Sequence, residues 1–212
     1  MCRMNGQHIA GPAPERATQA PEVDAGLLDA AGVVIAEHGF GGLTLARLAD
    51  VSGVSRMTLH RRNVTIDHVV TALGVRAAGE LRDALFPALV GTDPADRRLR
   101  VALEAMCEVA DRHLPLLAGL FADDDGVFHA EPDDTGALPT DAIFVAPFAK
   151  LLADGAADGS LVVVGDPLEV ATVLFNVAGW GYVQLRHAQR WPAERARNGV
   201  LDLVLSGLIH QR

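Results

Sequence analysis

Apolar positions recur at intervals of three and four residues along most of this chain, and no region reads as rich in strands or as an internal repeat. That spacing predicts helices. Leu27, Ala31, Val34 and Ile35 form one stripe over about 23–38, and Gly39 closes it. Leu45, Leu48 and Ala49 open a second helix, about 45–51, which the Thr44 hydroxyl can cap by accepting from a free amide of the first turn. Ser52 and Gly53 stop it, glycine being free to take the left-handed conformation of a sharp turn. Ser55 can cap a third helix, about 56–62. That helix turns Leu59 inward and leaves Arg56, Met57, Thr58, His60, Arg61 and Arg62 mostly outward.

The fourth stripe is longer. Ile66, Val69, Val70, Leu73, Ala77, Leu81 and Leu85 carry it until Pro87 and the 91–94 turn, with Thr65 as its cap. Leu99, Leu103, Met106 and Ala110 predict a fifth helix over about 94–113. A short apolar helix, about 114–121, follows a kink at Pro115. Residues 122–140 read as an acidic loop that is long by ordinary standards. The next helix, about 140–153, is interrupted at Pro147, and 155–166 reads as a turn with a short apolar stretch. Asp166-Pro167 is a cap followed by proline at the first helical position, opening a helix to about 189. Trp191-Pro192 restarts the chain for a last helix ending near 209.

These last two helices are apolar on more than one side, so each needs two partners. One partner is the rest of the chain. The other is the same helix pair of a second subunit, in a two-fold four-helix interface. Leu174, Val177, Gly181 and Leu185 on one helix, and Val200, Leu203, Val204 and Leu208 on the other, are the expected interface residues. The whole is expected to be all-α with about nine helices.

A short helix, a glycine turn and a second helix with a basic outer face is the arrangement of a helix-turn-helix DNA reader. The segment resembles the DNA-binding domain of the TetR/AcrR-type transcriptional regulators. The residues that carry the likeness are Ala30-Ala31, Gly39-Phe40, Thr44, Leu48-Ala49, Gly53-Val54-Ser55 and Thr58-Leu59, within about 23–73. Three positions depart from the pattern. His60 stands where the family usually has Tyr, Asn63 where it has Phe, and Ile66 where it commonly has Lys. Residues 1–21 carry Gly6, Gly11, Pro12, Pro14 and Pro21 with no periodicity and read as a flexible arm. The resemblance implies a helix-turn-helix domain (22–70) and an effector-binding and dimerisation domain (71–212). It also implies that Thr44 and Ser55 touch the DNA backbone as well as capping their helices.

Composition narrows the partners. The 212 residues are enough for a real core, and 50% of them are hydrophobic, which argues against disorder over most of the chain. No apolar run reaches the roughly 18 residues of a membrane span. The first residues lack the apolar centre of a secretory signal, and Cys2 and Cys107 make no disulfide framework, so a reducing cytoplasm is expected. A net charge of −9 excludes a generic nucleic-acid coat but not a sequence reader, for which the local field decides. From Ser55 to Asn63 there are three arginines and no acid. Arg3 and Arg16 of the arm could touch a minor groove, the plainer reading being a disordered tail.

Arg56, Arg61 and Arg62 are therefore assigned to phosphates and guanine edges, against the plain alternative of a solvated helix face. Met57 and Thr58 suit a thymine methyl, and His60 either faces a phosphate or packs in place of the usual Tyr. For the effector, Met106, His113, Leu117, Phe121, Phe144, Phe148 and Trp180 could line an apolar pocket with one polar group, against the alternative of plain core. The effector is then small and largely apolar. The acids of 123–134 lack the glycine and ligand spacing of a calcium loop, and no Gly-rich phosphate loop, HExxH or GxSxG occurs. No cofactor or metal is expected. The expected function is a homodimeric, ligand-responsive regulator, a repressor on a palindromic DNA operator, with no catalytic activity. Two alternatives remain: a degenerate helix-turn-helix protein that only binds a small molecule or a protein, and a small helical enzyme using His113 with an acid of the 123–134 loop.

Overall fold

The computed structural model describes residues 23–122 and 141–208, with side chains described over 23–120 and 143–208. The arm, the acidic loop and the Phe121 side chain lie outside the described residues. All regular structure among them is helical.

Asp24 opens α1 (Ala25–His38) by accepting from the Leu27 amide at 2.9 Å, and Gly39, at φ 72°, closes it. A 3₁₀ turn, Phe40–Gly42, leads to Thr44, which caps α2 (Leu45–Ser52). Gly53 is left-handed, as the turn requires, and Ser55 caps α3 (Arg56–Arg61). Thr65 caps α4 (Ile66–Val90) in a reciprocal box: its hydroxyl accepts from the His68 amide, and the His68 ring accepts from the Thr65 amide. Histidine here does the work that glutamate usually does at this position.

α5 (Ala95–Arg112) and α6 (Leu114–Ala122) follow, with Pro115 in the first turn of α6 rather than at a kink within a helix. A π turn, Asp141–Val145, leads to α7 (Ala146–Asp158). α8 (Pro167–Phe175) runs through a second π turn, Asn176–Trp180, into α9 (Gly181–His187), and α10 (Ala193–Ser206) ends the described fold. Since α8 and α9 form one interrupted rod, nine helical rods are described.

Three boundaries differ from the sequence expectation for physical reasons. Pro87 lies inside α4 instead of ending it. It is exposed and one turn from the end, while Leu85 and Ala88 on the buried side hold the last turn against the core. Gly155 is likewise inside its helix: a Cβ there would lie 2.3 Å from Leu161 Cδ1, so the glycine is a dent that receives Leu161. The stop comes at Gly159, with φ 74°. Pro147 sits in the first turn of α7, where its missing N–H costs nothing.

Two apolar cores form. Leu27, Val34, Leu48, Leu59, Val69 and Leu73 belong to the first, and Leu85, Leu99, Leu103, Phe148, Leu152 and Tyr182 to the second. α4 contributes to both, changing over between Leu73 and Ala78. α6 is the other bridge. Its Leu116 is buried in the first core, while the helix also packs on α9. Gly119 meets Phe40 so closely that a Cβ would lie 2.1 Å from the Phe40 Cβ.

Candidate functional site

α3 presents an open, basic face. Leu59, fully buried, fixes the helix to α1 and α2, and the opposite side is open. Arg56, His60 and Arg61 are exposed, as is Met57 at 76%. His60 therefore does not pack in place of an aromatic residue. Thr58 is half-buried, with its hydroxyl 2.9 Å from Ser55 Oγ. Ser55 Oγ and Thr44 Oγ1 accept from the amides of Thr58 (3.2 Å) and Arg47 (3.3 Å). Each is also exposed, so a hydroxyl that caps its helix can still meet a phosphate.

The departures from the resemblance have local explanations. Asn63 is left-handed, at φ 52°, where asparagine is among the few side chains readily accommodated. It turns the chain out of α3, and Val64 fills the core instead. Ile66 is half-buried against the first core, so it serves packing rather than charge. Arg47, on α2, was not anticipated; it is exposed beside the turn and donates to the Gly42 carbonyl at 2.9 Å. Arg62 is engaged: its Nη1 donates to Asp24 Oδ2 at 3.2 Å. No sequence signal points to that pair, because 38 positions separate its members.

The residues expected to line a pocket lie mostly in the second core. Met106, Phe144 and Phe148 are buried there and Leu117 packs against them. Phe175, which the sequence reading missed, joins the two phenylalanines with ring centroids at 5.6 and 6.2 Å. Its only sequence signal is its place in the apolar run of α8. Met106 faces Gly179 of the π turn, and Trp180 donates from its indole to Asn176 Oδ1 at 3.2 Å.

His113 ends α5, and its Nε2 lies 3.1 Å from Glu80 Oε2 of α4. Burial pushes the Glu80 carboxyl up, but His113 and Arg112 beside it prevail and hold it below its usual value. Nearby, Asp111 accepts from the Tyr182 hydroxyl and from Arg186 Nε, both at 2.7 Å. Arg186 also donates to the Trp191 carbonyl. The C-terminal end of α5 is thus tied both to α4 and to α9. Burial pushes the Cys107 thiol up to about 12, leaving it protonated and inert.

The outer face of α8 and α10 is apolar and uncovered. Val173 is 62% exposed, Val177 50% and Leu203 71%. Gly181, Leu185, Val204 and Leu208 are half-buried, whereas Leu174 and Val200 turn into their own core. No described helix is long and apolar enough to cross a membrane.

The chain matches no protein-family model and no curated sequence. Solved structures do match. A TetR family transcriptional regulator from Thermus thermophilus superposes with a TM-score of 0.66 at 19% identity, over 88% of this chain and 99% of that one. The chain has the TetR-regulator fold. A ketosteroid transcriptional regulator of Mycobacterium tuberculosis shares this TetR fold at TM-score 0.65 and 19% identity, covering 91% and 99% of the two chains. So does a Rhodococcus protein of unknown function, at TM-score 0.67 and 22% identity, over 87% and 94%.

Proposed function

We propose that this chain is a ligand-responsive, DNA-binding transcriptional regulator, cytoplasmic and non-catalytic, which represses by occupying a palindromic operator as a homodimer. The single observation that carries the reading is α3 itself. It is anchored through Leu59, entered through a capped glycine turn, and free of acids, with Arg56, Met57, His60 and Arg61 exposed on it. Residues 22–70 are assigned to operator binding and 71–212 to effector binding and dimerisation. Thr44 and Ser55 position the backbone, Arg56 and Arg61 meet phosphates or guanine edges, and Met57 and Thr58 suit a thymine methyl.

The dimer supplies affinity that one small basic surface on an acidic protein lacks. Val173, Val177 and Leu203 are the apolar positions that a second copy would cover. Two recognition helices on one DNA face must stand about 34–36 Å apart. A small apolar effector in the second core, near Met106, Phe144, Phe148 and Phe175, acts by favouring a different separation. It does so only by as much as its affinity for the two states differs. α4 and α6 are the routes, being the helices that enter both cores.

One observation favours a second reading, a dimeric small-molecule or protein binder that has lost DNA. Arg62 is paired within the chain and Ile66 is committed to packing, which leaves fewer cations for phosphates. Arg61→Ala separates the two. The regulator loses at least tenfold in duplex affinity, read by fluorescence anisotropy at about physiological salt, with its melting temperature unchanged. Binding that is absent in the parent, or indifferent to Arg61, supports the second reading.

A further inference from the structure

We propose that Asp24 is a built-in competitor for DNA phosphate at Arg62. The inference rests on the DNA-reading assignment and deepens it by naming a residue that sets its strength. Asp24 uses its two carboxylate oxygens differently. Oδ1 caps α1 through the Leu27 amide, while Oδ2 receives Arg62 Nη1 from the C-cap of α3. The carboxylate is held at the N-terminus of a fourteen-residue helix. It thus occupies Arg62 much as a phosphate would.

Among the described residues, this is the only ion pair made by the three arginines of α3 and its C-cap. Arg56 and Arg61 have none. Asp24 therefore removes one of three recognition-helix cations from the field that attracts DNA. Both members are about half exposed, at 49% and 51%, so solvent screens the pair and an equilibrium shifts by no more than about fivefold when it breaks. A pair this exposed can be removed without unfolding the domain. Its consequence lies in the salt dependence: each phosphate neutralised adds about 0.9 to the log–log slope, and a paired Arg62 adds none.

Asp24→Asn isolates this role, because asparagine caps a helix about as well as aspartate and carries no charge. Asp24→Ser serves as an independent version. The experiment measures anisotropy of a random-sequence duplex and of a selected operator across a salt series. It uses the full chain, Asp24→Asn, Asp24→Ser, Arg62→Gln and the double variant Asp24→Asn/Arg62→Gln, with melting temperatures confirming the fold. Neutralising Asp24 is expected to raise affinity for both duplexes by up to about fivefold per reading unit and to steepen the slope by up to about 0.9 per unit. Arg62→Gln alone leaves the Asp24 carboxylate unpaired and is expected to lower affinity by no more than about fivefold with the slope unchanged, and the double variant, which removes both charges, to return to the parent value. A gain that survives in the double variant overturns the proposal, as does no gain at all, or a loss of slope in Arg62→Gln alone. A parent chain that binds neither duplex overturns the DNA-reading assignment and this proposal with it. A parent that binds while Asp24→Asn behaves identically overturns the proposal only.

Discussion

The helices of the first core and most of those of the second are started by different means. α1, α2, α3 and α4 are each capped by the side chain directly before them: Asp24, Thr44, Ser55 and Thr65. α5 has no such cap. Its first amides are satisfied from far along the chain, Ala95 donating to Asp158 Oδ2 at 2.9 Å and Asp96 to Ser160 Oγ at 3.1 Å. Arg98, one turn on, donates to Asp154 of the same α7 at 3.0 Å. α7 and α10 also lack side-chain caps from their own preceding residues, and α9 continues the rod of α8. α8 is the exception in this core, Asp166 accepting from the Leu168 amide at 3.3 Å. The helices of the first core thus carry their start signals within their own segment. The second core is held by ties between distant elements, so a change at one of them reaches several helices together. Local caps mark the first core, and long-range ties most of the second.

The largest effect should come from the anchor of the reading unit. Leu59→Ala empties a fully buried site and should cost about 2–5 kcal/mol, read by chemical denaturation. Loss of the α1–α3 fold while the second core stays folded would sharpen the contrast; one cooperative transition for the whole chain would break it. Next is the tie between α5 and α9. Asp111→Ala leaves the Tyr182 hydroxyl, in a residue 1% exposed, without its acceptor and should cost about 1–3 kcal/mol. Its mark is accelerated amide exchange in both α5 and α9, with α3 unaffected.

Two serines test local against distant capping at matched chemistry. Ser55→Ala and Ser160→Ala should each cost about 1 kcal/mol. The first should loosen α3, and the second should speed exchange at the Asp96 amide on α5, 64 positions away. Equal, unlocalised effects would contradict the distinction.

The smallest effect is on acidification. Glu80 and Asp154 sit below their ordinary values of 4.5 and 3.8, Glu80 against the opposing pull of burial and Asp154 chiefly through its hydrogen bond from Lys150. A lowered folded value means that the contribution is present above the ordinary one and is lost as pH falls through the folded one. Melting temperature should hold down to about pH 4.5 and decline below it. The loss should appear first in the second core, whose half of the chain contains both tryptophans, Trp180 and Trp191. A decline starting above pH 5 would not come from these carboxylates.

The same division explains what could be read before the structure. Thr44, Gly53 and Ser55 state their roles within a few residues of where they act, so the helix-turn-helix was legible. Pro87 and Gly155 misled because their local meaning, to stop a helix, is overruled by packing at Leu85, Ala88 and Leu161. The cap at Asp158, the pair at Asp24 and Arg62, and the place of Phe175 depend on contacts that no spacing encodes. Leu174 and Val200 were grouped with Val177 and Leu203 because both sides of their helices are apolar. Which side faces the core depended on where the other helices lay.

The measurement that tests the account most directly is selection of bound sequences from random duplex DNA by the purified chain at about physiological salt. The account predicts enrichment of a palindrome whose half-sites lie about one helical turn apart or overlap. No enrichment, from protein shown to be folded and dimeric, would contradict it.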